Sequence, residues 1–186
     1  ATDGSRLSLI ETACNGEVSA LIPKKALIQA SKLPKGDINI AQDTNLLYFS
    51  SGSRNLTARK MSGQFPNYSS LLTQNFENEC VVETEKLKEA VTRMALVSDE
   101  PSRSIKATFK EDLIELSTTS SSGEEGEDSL EVSYKGEEVT LHVNWTFLSQ
   151  FLPIVTEKEL TIAFKDGNSA MKLSFGENLY VLMPLR

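Results

Sequence analysis

The sequence predicts an α+β fold of repeated β-α-β-β-β units with antiparallel sheets, on three observations. A helical pattern followed by short β-like runs occurs three times along the 186 residues, at a spacing of roughly 60 residues, and such repetition indicates a repeated structural unit. Turn-forming Gly, Ser, Asn and Asp separate the β-like runs. Hydrophobic residues make up 39% and charged residues 24% of the chain, which supports a buried core and excludes wholesale disorder.

The helix of the first unit begins at Pro23, which suits a first helical turn because its missing N–H needs no partner there. Leu27, Ala30 and Leu33 follow at helical spacing and predict an apolar stripe, and a Pro and a Gly then end the helix. The β-like runs of this unit are predicted at residues 18–22, 37–41, 45–50 and 54–61.

The second unit opens with a predicted strand at residues 80–83. Thr84 is placed to cap the next helix, in which Leu87, Val91 and Met94 share one face. Further strands are predicted at residues 104–109, 113–118 and 129–134, with a polar loop before the last of them.

The third unit has a predicted strand at residues 139–143 and a helix that Asn144 caps and Leu148 anchors. Its remaining strands are predicted at residues 160–164, 170–175 and 179–183. If two such units form one domain, three units leave one unit without a partner. We therefore expect a part of the fold to precede the first residue. The joint after the first unit falls in the irregular stretch at residues 63–78.

Charge is distributed unevenly along this acidic chain, whose net charge is −7. Residues 110–138 hold two lysines against ten acids, a local charge of −8. Residues 23–35 hold four lysines and no acid: Lys24, Lys25, Lys32 and Lys35. The protein therefore has two electrostatic faces, although its overall charge argues against nucleic acid as a partner.

The residue types that catalysis and metal binding need are scarce, since the chain has one His and two Cys and no CxxC or HExxH motif. We expect no metal, no cofactor and no catalytic residue. A nucleophile pair of Cys80 with His142 stays open as an alternative to the simpler interpretation of Cys80 as a small buried hydrophobe.

No apolar run is long enough to span a bilayer and no leader opens the chain, so we expect a cytoplasmic protein with reduced thiols. The Asn-x-Ser/Thr matches at Asn55, Asn67 and Asn144 carry little weight without a secretory leader.

Five segments in register resemble one known family. They are ATDGSRL at residues 1–7, LIPKKAL at 21–27, GQFPNY at 63–68, MALVSDE at 94–100 and YVLMPLR at 180–186. Together they closely resemble the bacterial sliding clamp, the β subunit of the replicative DNA polymerase III. The resemblance covers the whole chain, and it is specific because all five segments occur in order.

The resemblance implies a DNA clamp fold with helices on the inner face and antiparallel sheets outside. Residues 1–70 would form the second half of the middle clamp domain and residues 71–186 the C-terminal clamp domain. In the family, two subunits close a homodimer ring around duplex DNA, without sequence preference and without catalysis, as a processivity factor in DNA replication. The DNA polymerase III catalytic subunit, the clamp loader and repair proteins bind it through short linear motifs with a Leu-Phe-like pair.

The resemblance also assigns residues to the DNA-facing surface and to the subunit interface. Lys24 and Lys25 match the basic pair of the family's lining helix, and the charge pattern adds Lys32 and Lys35. A merely solvated helix face is the alternative for these lysines. Further DNA-facing candidates are Lys86, Lys88 and Arg93, and the interface candidates are Leu96 and Val97.

A hydrophobic peptide-binding pocket between the two domains is the second implied site. Its residues, carried over from the matching segments, are Thr2, Gly4, Arg6, Leu7, Pro66, Leu71, Asn144, Phe147, Asn168, Ala170, Val181, Met183, Pro184, Leu185 and Arg186. The alternative is that the tail is an ordinary closing strand whose side chains face the core. The chain departs from the family pattern at Ser5, Ser69, Ser70, Phe147 and Asn168, and the Leu that commonly follows the Arg in the family is missing after Arg186.

Two other functions are alternatives to a clamp. An enzyme would need a nucleophile with a base or paired carboxylates in a cleft, which the composition does not offer. A free-standing peptide-binding module with no role on DNA would suit the sequence pI of about 4.9.

Overall fold

The computed structural model describes residues 1–98 and 102–185. The chain forms two compact units, of which the smaller is Ala13–Tyr68 and the larger combines Ala1–Thr12 with Ser69–Arg186. The first twelve residues thus belong to the larger unit, while the predicted division into domains at residues 70 and 71 stays a prediction.

Twelve strands, four α-helices and one 3-10 helix are found in the described part of the chain. In chain order they are β1 (Arg6–Leu9), α1 (Lys24–Ala30), β2 (Asn39–Gln42), β3 (Leu46–Ser51), β4 (Arg54–Arg59), α2 (Ser69–Leu72), β5 (Asn78–Glu83), α3 (Thr84–Val97), β6 (Ser104–Lys110), β7 (Leu113–Thr119), β8 (Glu125–Glu131), β9 (Val139–Asn144), α4 (Trp145–Phe151), the 3-10 helix (Leu152–Ile154), β10 (Glu159–Phe164), β11 (Met171–Phe175) and β12 (Asn178–Leu182). Each of these helices is too short or too polar to cross a bilayer.

The smaller unit is a three-stranded antiparallel sheet, β2-β3-β4, with α1 beside it. The predicted apolar stripe of α1 is wrong in part, because Ala26 and Ala30 are the buried residues and Leu27 is exposed. Ala26 and Ala30 are four positions apart and so lie on one helix face. Ala30 packs with the core residues Leu47 and Phe49, and the predicted stripe residue Leu33 is partly buried against them.

The strand predicted at residues 18–22 is absent from the described chain. A backbone hydrogen bond of 2.9 Å joins the Met61 N–H to the Leu21 carbonyl, but a strand needs a continuing ladder of such bonds. The apolar alternation there was therefore a misleading signal.

The larger unit contains two antiparallel sheets, and each includes the first strand of the other sheet's β-α-β-β-β unit. One sheet has the order β1-β12-β11-β10-β5 and the other β8-β7-β6-β9. Strand β5 precedes α3 in the chain but pairs with β10, and β9 precedes α4 but pairs with β6. The second and third predicted β-α-β-β-β units are thus confirmed, and they interlock around one hydrophobic core.

The start of α3 differs from the prediction that Thr84 caps it. Glu83 holds the cap position, and Thr84 is the first helical residue, with a buried hydroxyl that lacks a hydrogen-bond partner among the described residues. The Thr84 N–H is instead bonded to the Lys158 carbonyl at 2.9 Å. The apolar face of the helix is as predicted, since Leu87, Val91 and Met94 are all buried.

The last strand of the second unit, β8, lies earlier in the chain than the predicted residues 129–134. It occupies Glu125–Glu131, so it begins inside the stretch that was predicted as a polar loop and overlaps the predicted strand only at residues 129–131. Glu125, Glu127 and Glu131 are exposed on one face while Leu130 is buried on the other, a pattern that an edge strand accepts because one face and one edge stay in water.

Candidate functional site

Strand β1 lies against β12, the last strand of the chain. Arg6 is opposite Leu182 and Leu7 is opposite Val181 in antiparallel register. Beyond β12 the pairing continues, because the Met183 N–H donates to the Ser5 carbonyl at 2.9 Å. The opening segment and the closing tail, 174 to 178 positions apart in these pairs, therefore form one surface of the larger unit.

A tight turn positions the first residues of β1. The Thr2 hydroxyl donates to the Arg6 carbonyl at 2.7 Å and accepts from the Gly4 N–H at 3.1 Å. Gly4 has φ of +91°, a conformation that favours glycine because a Cβ would be strained there. The turn holds Arg6 at the surface of the sheet.

Four side chains surround the Arg6 guanidinium. Its Nε donates to Asp3 at 2.9 Å, and its Nη1 donates to the Gln150 Oε1 at 2.8 Å and to the Tyr180 hydroxyl at 3.4 Å. The guanidinium carbon lies 4.3 Å from the centre of the Phe147 ring, in cation–π contact. We call Asp3, Arg6, Phe147, Gln150 and Tyr180 the Arg6 cluster.

In both Asp3 and Arg6, burial and hydrogen bonding shift the side-chain pKa in opposite directions. Burial tends to raise the pKa of Asp3, but its hydrogen bonds to the Arg6 side chain and to nearby backbone N–H groups outweigh this and lower it. Burial tends to lower the pKa of Arg6, but its bonds to Tyr180 and Asp3 raise it. Both groups are therefore charged near neutral pH.

Tyr180 connects this surface to the core. Its ring is stacked on Phe151 at 4.2 Å between centroids, and Phe151 contacts Phe175 edge-on at 5.5 Å. Its hydroxyl donates to the Phe147 carbonyl at 3.4 Å. Burial raises the pKa of Tyr180 although the Arg6 charge opposes the shift, so the hydroxyl keeps its proton at neutral pH.

The tail after β12 runs along the edge of the second sheet. The Leu185 N–H donates to the His142 carbonyl of β9 at 2.7 Å. Asn144, two residues on, caps α4 as predicted, since its side chain accepts from the Thr146 N–H at 2.9 Å. Met183, Pro184 and Leu185 are all half-buried.

The turn before β11 brings two further candidates to the same sheet. Asp166 accepts from the Asn168 N–H at 2.9 Å and the Ser169 N–H at 2.8 Å, and these bonds lower its pKa. A Cβ added at Gly167 would overlap the Thr140 carbonyl oxygen, so the turn packs tightly against β9. Asn168 is exposed and Ala170 is buried.

The predicted pocket residues differ in accessibility. Leu7, Ala170 and Val181 are buried, and the burial of Val181 fits the alternative of an ordinary closing strand for the tail. Arg6, Phe147 and Met183 are half-buried and reach the surface. Their roles in binding stay predictions.

Three of the predicted pocket residues are not among those that form the surface around β1, β12 and the tail. Leu71 is half-buried in the short helix α2, and Pro66 is exposed in the smaller unit. Arg186 lies outside the described residues.

The DNA-facing candidates of the smaller unit are unpaired cations. Lys24 and Lys25 are exposed in the first turn of α1, and within the described chain neither forms an ion pair. Lys32 and Lys35 are also exposed but lie beyond the end of the helix at Ala30.

The candidates on α3 are neutralised by neighbouring acids. Lys86 lies 3.5 Å from Glu83 and Lys88 lies 3.1 Å from Glu85. Arg93 pairs with Asp128 at 2.8 Å and with Glu89 at 3.7 Å. These cations therefore add less positive potential than the sequence suggests.

The interface candidates lie at the end of the same helix. Leu96 is 84% exposed, the most exposed large apolar residue of the described chain. Val97 is half-buried, and a Cβ added at Gly126 of β8 would lie 3.1 Å from its Cγ2.

Sequence reasoning missed four residues of this surface: Asp3, His142, Gln150 and Tyr180. Gln150 and Tyr180 bond to Arg6 across 144 and 174 positions, and no local pattern reveals such contacts. The Asp3 signal was available, because Asp followed by Arg three positions later in a turn is a local ion pair.

Cys80 and His142 occupy different environments. Cys80 is fully buried in β5, and burial raises its pKa to about 12, whereas His142 is exposed. A buried thiol with a raised pKa is a poor nucleophile, so the interpretation of Cys80 as a small core residue is favoured. Among the described residues no group of three His, Cys, Asp or Glu is arranged to hold a metal ion.

The fold has close relatives among solved structures. The C. crescentus beta sliding clamp superposes with a TM-score of 0.93 at 24% identity, covering 100% of this chain and 52% of that one. The Bartonella birtlesii sliding clamp bound to griselimycin superposes with a TM-score of 0.91 at 25% identity, covering 100% and 53%. The fold is therefore that of the DNA polymerase III beta sliding clamps.

The sequence comparisons identify the family. The Pseudomonas putida beta sliding clamp is 26% identical over 195 residues, covering 100% of this chain and 53% of that protein. A family model described as the DNA polymerase III beta subunit, C-terminal domain, matches residues 69–186, and the chain belongs to this family. It spans about half the length of the curated relatives it matches. The predicted resemblance and the predicted α+β clamp fold are both confirmed.

Proposed function

We propose that this chain is part of a sliding clamp, a non-catalytic processivity factor that encircles duplex DNA and binds partner proteins through a peptide-docking surface. The observation that carries the proposal is the pairing of the opening segment with the closing tail. It brings Arg6 and Leu7 beside Val181 and Met183, the segments in which the family resemblance places the docking site.

The docking surface combines the features that a short apolar motif needs. Phe147 reaches the surface beside the charged Arg6, so an apolar group is edged by a polar one. The half-buried Met183 follows β12, where its N–H is bonded to the Ser5 carbonyl next to Arg6. Burying a Leu and a Phe side chain at about 25 cal/mol per Å² supports micromolar affinity for a peptide. Met adapts its shape, which suits a surface with several partners.

The proposed partners follow from the family. They are the DNA polymerase III catalytic subunit, the clamp loader and repair proteins, each through a motif with a Leu-Phe-like pair. In a homodimer ring, Leu96 and Val97 would meet the other subunit, and the high exposure of Leu96 supports an apolar contact there. We place this activity in the bacterial cytoplasm.

Truncating Met183 tests the docking surface. We expect Met183→Ala to raise the dissociation constant of a fluorescent peptide with a Leu-Phe pair about tenfold, because apolar contact area is lost. Fluorescence anisotropy measures the change. Met61→Ala is the matched control, since Met61 is 55% exposed in the smaller unit, and it should leave the affinity unchanged. Unchanged affinity in Met183→Ala places the docking site elsewhere.

The proposal for DNA rests on the unpaired cations of α1. Lysines that face phosphates attract DNA without sequence preference and lose that attraction as salt rises. Lys24 and Lys25 are free to do this. The cations of α3 are partly cancelled by Glu83 and Glu85, so we assign the main attraction to α1.

Charge reversal tests this assignment in the full-length protein. We expect Lys24→Glu with Lys25→Glu to lower retention on circular plasmid about tenfold, because phosphate contacts become repulsive. The control pair Lys86→Glu with Lys88→Glu makes the same charge change and should have a smaller effect. An equal effect of both pairs contradicts the assignment.

A free-standing peptide-binding module is the second candidate, and the net charge of −7 favours it. Retention of the full-length protein on circular but not on linearised plasmid separates the two functions. A clamp is lost from a free DNA end, whereas a module without a role on DNA is retained on neither form.

A further inference from the structure

We propose that Tyr180 and Gln150 are positioning residues that hold the Arg6 guanidinium so that its free edge binds an acceptor oxygen of the partner peptide. This inference rests on the proposed docking function. It assigns roles to two residues outside the set that the family resemblance supplied.

The hydrogen bonds of Arg6 leave one edge of the guanidinium unused. Asp3 occupies the Nε and both Gln150 and Tyr180 occupy Nη1, with distances between 2.8 and 3.4 Å. Within the described chain Nη2 has no bonding partner, and the Arg6 side chain is 25% exposed. Because the guanidinium is a rigid planar fork, fixing two of its nitrogens also fixes the direction of the third.

The Phe147 ring limits movement of the Arg6 guanidinium out of its plane. The guanidinium carbon lies 4.3 Å from the ring centre, so the planar group is supported from one side. Because guanidinium N–H groups donate in the plane of the group, the contact with the Phe147 ring leaves the Nη2 hydrogens available to a peptide acceptor. A backbone carbonyl or a carboxylate supplies the oxygen that this edge binds.

Tyr180 is suited to positioning because the core fixes it. Its ring is parallel to Phe151 within 2° and only 6% exposed, so its hydroxyl has one location. Gln150 is exposed on the last turn of α4 and bonds Arg6 at the shorter distance of 2.8 Å. Tyr180 thus restrains Arg6 from the core, and Gln150 restrains it from the surface.

Such restraints matter because arginine has many rotamers. Ordering a long side chain on binding costs free energy, and a side chain that is already ordered avoids this cost. Loss of either restraint should therefore weaken peptide binding only through Arg6, without changing the apolar contacts.

A double-mutant cycle on the full chain tests the inference, with the fluorescent Leu-Phe peptide as the probe. We expect Tyr180→Phe to raise the dissociation constant about fivefold, because it removes the hydroxyl that accepts from Arg6 and donates to the Phe147 carbonyl. Gln150→Ala should act similarly, and because Gln150 is exposed this variant keeps the fold. In an Arg6→Ala background, neither change should alter the affinity further.

The control is Tyr48→Phe, which removes a hydroxyl that donates to Asp43 in the smaller unit. It should leave peptide binding unchanged. Hydrogen exchange of the Arg6 Nε–H, followed by NMR without peptide, should speed up in Tyr180→Phe and Gln150→Ala but not in Tyr48→Phe.

The outcomes separate the two proposals. A wild-type chain that binds no Leu-Phe peptide overturns the proposed docking function, and the inference with it. A chain that binds, but loses affinity equally with and without Arg6, overturns the inference alone. Unchanged affinity and unchanged Nε–H exchange in both variants overturn it as well.

Discussion

The two cysteines show how burial controls side-chain chemistry in this protein. Cys80 is fully buried in β5, and burial raises its pKa to about 12. Cys14 is exposed in the smaller unit. The reactive thiolate is therefore disfavoured at Cys80 throughout the physiological pH range.

We expect iodoacetamide at pH 8 to modify Cys14 quickly and Cys80 only after unfolding in denaturant. Mass spectrometry of the native and denatured protein counts the modified thiols. Because the folded pKa of Cys80 lies above the ordinary value of 9.0, its stabilising contribution is present below pH 9 and declines as the pH rises towards the folded value. Rapid native modification of Cys80 would show that β5 opens readily.

The strands and helices were predictable where the apolar spacing is strong. The burial of Leu87, Val91 and Met94 on α3 and the Asn144 cap of α4 followed from sequence spacing and residue type. Strand β8 was misplaced because its acidic residues suggested a loop, although an edge strand tolerates them. Strand β1 was missed because four residues give too short a pattern, and its stability comes from pairing with β12.

The candidate site was predictable only in part. The resemblance placed Arg6 and Phe147 in one site, and they are in contact. It gave no indication of Gln150 or Tyr180, because their contacts with Arg6 depend on how α4 and β12 pack together.

The tight packing of the turn before β11 against β9 can be tested at Gly167. We expect Gly167→Ala to lower the free energy of unfolding by about 1–3 kcal/mol, because the added Cβ overlaps the Thr140 carbonyl oxygen and the turn must move. Peptide affinity should fall with it, since Asn168 and Ala170 move too. Chemical denaturation and anisotropy measure the two effects.

Lys165→Ala is the control for that turn. Its side chain is exposed and pairs with Glu77 only at 4.0 Å, so we expect little change in stability or affinity. Wild-type stability in Gly167→Ala would mean that the turn is not held against β9.

The molecule as a whole combines a basic stretch in the smaller unit with an acidic one in the larger. Lys24 and Lys25 are exposed and unpaired within the described chain, while β8 presents a row of acids. Under the proposed function, the exposed lysines attract DNA phosphates and the acids of β8 repel them. The proposed docking surface lies on elements of the larger unit.

The central claim is that the opening segment and the closing tail together bind a partner peptide. An NMR titration of the isotope-labelled chain with the Leu-Phe peptide tests it most directly. We expect the amide resonances of residues 4–7, 147–150 and 180–185 to shift with one micromolar dissociation constant. Shifts confined to residues 24–35, or no shifts at millimolar peptide, would contradict the claim.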